Sequence, residues 1–105
     1  MDVTGELQNT LMTLLKEIGE HTIEQKKESI HVIHGRAFVG IHPKKSYLGV
    51  NVVLHQPKAF PRADKVEQVS LHRFHHFFKI TSKRQMNGAF ARLLREAYDL
   101  TEVKK

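Results

Sequence analysis

The sequence predicts an α+β fold: a single antiparallel sheet of four to five strands, with the N-terminal and C-terminal helices packed on one face. Three observations lead there. Apolar residues recur every three or four positions near both ends of the chain, alternate with polar ones through the middle, and are punctuated in that middle by glycine and proline. Hairpin-linked strands between two amphipathic helices pack economically as one sheet with both helices on the same side.

The first helix is expected from about Gly5 to Ile18, because Leu7, Leu11, Leu14, Leu15 and Ile18 form one stripe at 3.6 residues per turn. Thr4 is the expected N-cap and Gly19 the expected left-handed residue that closes it. "HTIEQKKES" has little periodicity and reads as an edge strand or a connection. The period then becomes two. "IHVIH" (Ile30 to His34), a Gly35-Arg36 turn, "AFVGIH" (Ala37 to His42) and a "PKKS" turn suggest hairpin-linked strands, followed by a half-buried strand in "YLGVNVVLH". "QPKAFPRADK", with two prolines, is expected as a loop, and "VEQVSL" as a short strand.

"LHRFHHFFKI", residues 71 to 80, is the most unusual stretch. As a strand it sends Phe74, His76, Phe78 and Ile80 to one side and Arg73, His75, Phe77 and Lys79 to the other, one face apolar and one basic. A capping box, Ser82 to Gln85, is expected to open the last helix, whose stripe is Met86, Ala89, Phe90, Leu93, Leu94, Ala97 and Tyr98, with Gly88 tolerated at small cost.

The composition, 40% apolar and 27% charged, is that of one globular domain spanning residues 1–105. Without cysteine, disulfides, thiolate nucleophiles and sulfur-bound zinc are excluded. No signal peptide or membrane span is expected, which makes the cytoplasm the default compartment. The net charge of +6 is segregated: from Ser29 to Arg95 there are twelve Lys and Arg against Asp64 and Glu67 alone. Such a field concentrates anions.

Eight histidines invite a metal reading, yet on a strand His72 and His76 face away from His75, so that trio cannot converge on one ion. A cross-strand set of His31, His55 and His75 stays open; no metal or other cofactor is expected. The four serines lack a nucleophile-elbow context, the central carboxylates are too few for an acid/base pair, and the six glycines form no phosphate loop, so no catalytic residue is assigned. The residues expected to contact an anion are Arg73, His75, Phe77 and Lys79, with Tyr47, Lys44, Lys45 and Arg36: cations for phosphates, rings for stacking. Protonation of His75 would strengthen binding below roughly pH 6.5.

Two passages resemble an uncharacterised prokaryotic family, the domain of unknown function numbered 5655. "FHHFFKITSKRQMNGAFARLLREAYDL" is similar to its closing part, with His75 and His76, Thr81 and Ser82, and Ala97-Tyr98 as the matching residues. "LLKEIGEHTIEQKKESIHVIHGRAFVGIHPKKSYLGVNVVL" is similar to its helix and following strands, with "FVGIHPKK" in the middle. The resemblance implies no activity and no catalytic residues. Some relatives occur beside nuclease-like or restriction-type domains, which adds weight to nucleic acid as ligand.

The expectation is therefore a non-catalytic binding domain for nucleic acid or another anionic partner such as an acidic protein surface, with no membrane role. The alternative is a self-associating or adaptor module, a homodimer for example, that pairs through an edge strand such as Ile30 to His34.

Overall fold

A computed structural model describes residues 3–59 and 61–101. Helix α1 (Val3–Ile18) leads into strands β1 (Thr22–Gln25), β2 (Ile30–His34), β3 (Arg36–Pro43), β4 (Leu48–Leu54), β5 (Lys65–Ser70) and β6 (Arg73–Ile80), then a 3-10 turn (Lys83–Gln85) and helix α2 (Gly88–Leu100). All strand pairs are antiparallel and form one sheet in the order β1-β2-β3-β4-β6-β5. The sheet has six strands where four to five were expected. β5 is the short strand expected at "VEQVSL", and β1 makes "HTIEQKKES" an edge strand and not a connection; every residue of both is exposed, so no burial imprints an alternation on their sequences.

The alternation predicted for the centre is present. Leu48, Val50, Val52 and Leu54 of β4 are buried, as are His76, Phe78 and Ile80 of β6, and all but His76 join one apolar cluster with Leu7, Leu11 and Leu15 of α1 and Phe90, Leu93, Leu94 and Ala97 of α2. The helices touch each other, and both touch β3 and β4. In β3, Phe38 and Val39 are both buried because the register with β2 shifts between Val32 and Ile33, a bulge that inserts one extra residue.

Five local expectations change. Thr4 lies within α1, where its hydroxyl donates to the Lys44 carbonyl oxygen at 2.8 Å and fastens the helix start to the turn after β3. Gly35 is the sole glycine with positive φ (81°), so Gly19 is no left-handed cap; its place is explained by Tyr98, whose hydroxyl oxygen would lie 2.5 Å and nearest ring carbon 2.7 Å from a Cβ at position 19. The Gln85 carboxamide oxygen does accept from the Ser82 N–H (3.1 Å), but the box opens only the 3-10 turn. Asn87 caps α2, accepting from the Phe90 N–H at 3.1 Å, which leaves Gly88 at the first helical position, outside the interior. Finally, Ile30–His34 is no edge: β2 is covered by β1 on one side and β3 on the other, and the sheet ends at β1 and β5.

Candidate functional site

Cross-strand register fixes what shares the other side of the sheet. Lys65, Phe77, Asn51, Gly40 and His31 are successive partners across β5, β6, β4, β3 and β2, and Lys79, Gly49 and His42 form a parallel row across β6, β4 and β3. Directly paired residues point to the same side, opposite their buried neighbours. Gly49 supplies no side chain, so the surface dips between its flanks.

The dip is a concavity of about 410 Å³ lined by His42, Lys44, Tyr47, Gly49, Asn51, Asp64, Lys65, Phe77 and Lys79, together with the buried residues Val50 and Phe78. Lys79 Nζ lies 5.3 Å from the Tyr47 ring centroid and Lys65 Nζ 5.9 Å from that of Phe77, both within cation–π range. Asp64 also lines it, but its Oδ2 accepts from the Lys79 backbone N–H at 2.7 Å and its own N–H donates to the Phe77 carbonyl at 2.8 Å. The carboxylate thus serves to anchor the loop before β5 onto β6.

Of the eight residues expected to touch an anion, Lys44, Tyr47, Phe77 and Lys79 meet in this concavity. Arg73 and His75 share the same side of β6 but lie toward its start, where His75 faces Val53 and Glu67. Lys45 is exposed in the turn without lining the dip. Arg36 is elsewhere: it begins β3, whose other end leads to Lys44, so the two are separated by roughly 25 Å of strand. Its guanidinium donates to the Leu100 carbonyl (3.0 Å) and approaches His55 Nε2 (3.2 Å), which makes it a tie between sheet and α2.

The contact residues expected from the sequence omit Lys65, His42 and Asn51, although Asn51 alternates with the buried Val50 and Val52 and so shares the open side. The signal for Lys65 was present in "ADKVEQ", where a strand alternating Lys65 and Glu67 toward one side is recognisable once β5 is known. The bond made by Asn51 needed the register: its Nδ2 donates to His75 Nδ1 at 3.0 Å, leaving Asn51 Oδ1 and His75 Nε2 buried and without a partner among the described residues.

Three histidines, His42, His75 and His76, have their pKa values held down, so these three contribute little charge at neutral pH. Burial first, then Lys44 and His31, pushes the His42 pKa down; burial first, then Arg73, does the same for His75 against the opposing pull of Glu67. The expected gain in binding from His75 therefore moves to lower pH than the ordinary value near 6.5 implies. His76 is also pushed down, chiefly by burial. No group of three metal-ligating side chains converges among the described residues, and the cross-strand set His31, His55 and His75 is not assembled. No helix among them is long and apolar enough to cross a membrane.

No curated protein and no solved structure matches the chain. One family profile does, over residues 3–101, nearly the whole sequence and both passages whose motifs resembled that family. The chain is a member of the domain of unknown function family DUF5655.

Proposed function

We propose that this protein is a small non-catalytic binding domain that holds single-stranded nucleic acid, or a similarly anionic chain, in the concavity beside Tyr47 and Phe77. In this reading the two helices together cover the apolar side of the sheet and leave the opposite side for the ligand. The observation that carries it is the joining of three lysines, Lys44, Lys65 and Lys79, to two aromatic rings around one dip. Cations neutralise phosphates, and rings offer a sequence-tolerant surface for bases. The depressed pKa values of His42 and His75 leave these lysines as the source of charge near pH 7. Asn51 Oδ1 and His75 Nε2, buried without partners among the described residues, support the reading too, since such atoms cost stability and concentrate where function uses them.

The test is fluorescence anisotropy with a labelled single-stranded oligonucleotide. Lys79→Glu is expected to weaken binding at least tenfold, whereas Lys45→Glu, outside the dip, has a smaller effect. Absence of binding by the unaltered protein at low salt rejects the proposal, as does full affinity in Lys79→Glu. A poly-glutamate peptide that binds as tightly as the oligonucleotide reassigns the face to acidic proteins.

A second reading, pairing with another chain, is favoured by one specific feature. Edge strand β5 and the turn after it expose Val66 (41%), Val69 (48%) and Leu71 (77%).

A further inference from the structure

Strand β5 pairs with β6 on one side only, and all six of its residues are exposed. An unpaired edge presents a row of backbone donors and acceptors that a second strand can satisfy. We infer that the partner of this edge is a second copy of the same chain, joined β5 to β5 in antiparallel fashion about a two-fold axis through Val66. The inference rests on the second reading above; Lys65 belongs both to this seam and to the rim of the anion site.

Charge selects both the partner and the register. Lys65 and Glu67 lie on the open side of the sheet, paired with Phe77 and His75 of β6, while Val66 lies between them on the other side, paired with His76. A two-fold that keeps both copies' open sides together must pass through a residue, because side chains alternate with period two. An axis through Lys65 sets lysine against lysine, and one through Glu67 sets glutamate against glutamate, like charges that oppose pairing. An axis through Gln68 runs into the register shift between Gln68 and Ser70. An axis through Val66 sets Lys65 of each copy opposite Glu67 of the other, twice, with Val66 against Val66. The other free edge, β1, lacks this self-complementarity: its only charged residue, Glu24, pairs with Lys26 of its own chain at 3.2 Å.

Closure about a two-fold consumes both β5 edges and stops at a dimer. The two sheets become one of twelve strands, and both lysine-lined concavities open on the same side, each bordered by Lys65 at the strand nearest the axis. A short seam of this kind buries less than a standard interface, so association is expected on the order of 10 μM.

Sedimentation equilibrium without nucleic acid reads the association directly. Mass is expected to rise from one copy toward two with concentration. Glu67→Lys and Lys65→Glu are each expected to weaken the dimer roughly tenfold by setting like charges across the seam, and the double swap Lys65→Glu with Glu67→Lys to restore it. Both positions are exposed, so folding persists and circular dichroism verifies it. A monomer at several hundred μM overturns the inference, and so does a dimer indifferent to either single change. A double swap that fails to recover the dimer rejects this register. Oligonucleotide binding by a strictly monomeric protein leaves the anion site standing while removing the dimer.

Discussion

A methyl group at position 19 would meet the Tyr98 hydroxyl oxygen at 2.5 Å and the ring carbon that bears it at 2.7 Å. That oxygen donates to the Glu20 carbonyl at 2.8 Å, and the ring lies against His34 and Phe38, with centroids 4.1 and 5.5 Å away. Tyr98 thus ties α2 to the end of α1 and to the β2–β3 hairpin, and Gly19 is glycine because the ring needs the space. Gly19→Ala is expected to cost ~1–3 kcal/mol through this overlap, seen as a lower urea midpoint; Tyr98→Phe, which keeps the ring but loses the bond, should cost about 1 kcal/mol. Leu15, Val52 and Leu94 are each 1% exposed or less, so truncation of any one to alanine is expected to cost ~2–5 kcal/mol, measured by chemical denaturation. Periodicity alone identified these three as core. It could not show why position 19 is glycine, since Tyr98 approaches from 79 residues away in sequence.

Strand β6 shows how much an element's own pattern can carry. Its alternation correctly separates His76, Phe78 and Ile80 from Arg73, His75, Phe77 and Lys79. The duty of His76 comes from outside the strand: Nδ1 donates to the Phe74 carbonyl (3.2 Å), and Nε2 accepts from the Lys58 N–H (3.0 Å), pinning the loop after β4. An imidazole that accepts at Nε2 must be neutral there. The folded protein holds the pKa values of His42, His75 and His76 down, while the unfolded chain takes up protons near the ordinary value of ~6.5. Unfolding therefore binds protons in the window below that value. Stability from these groups is complete above it and is lost as pH falls toward the depressed values. The urea midpoint should decline between pH 7.5 and pH 5, and His76→Gln should make that decline shallower. A midpoint that rises on acidification would contradict the assigned neutral state.

At the scale of the molecule, the excess of positive charge in the centre of the chain becomes a local arrangement only because the sheet order places β5 beside β6. Lys44 and Lys79 are brought together by the β4–β6 register, and Lys65 joins them across the β5–β6 pair. If these three lysines carry phosphate contacts, the logarithm of affinity should fall against the logarithm of salt with a slope of about −2, or roughly a tenfold to twentyfold loss between 50 and 200 mM. Anisotropy titrations across that range measure it, and a flat response excludes the lysines as the binding charge.

The sequence by itself determined the two amphipathic helices, the buried faces of β4 and β6, the basic side of β6 and the family, because each is written in local periodicity or in motifs of neighbouring residues. Tertiary structure decided that β1 is a strand, that β1 and β5 are the sheet's two edges, the true start of α2, the dispersal of Arg36 away from the lysines, and the gathering of Lys65 and His42 into the site. These depend on which segments lie side by side. Contacts between residues tens of positions apart leave no periodic trace in the chain, and an edge strand exposed on both faces has no burial to record.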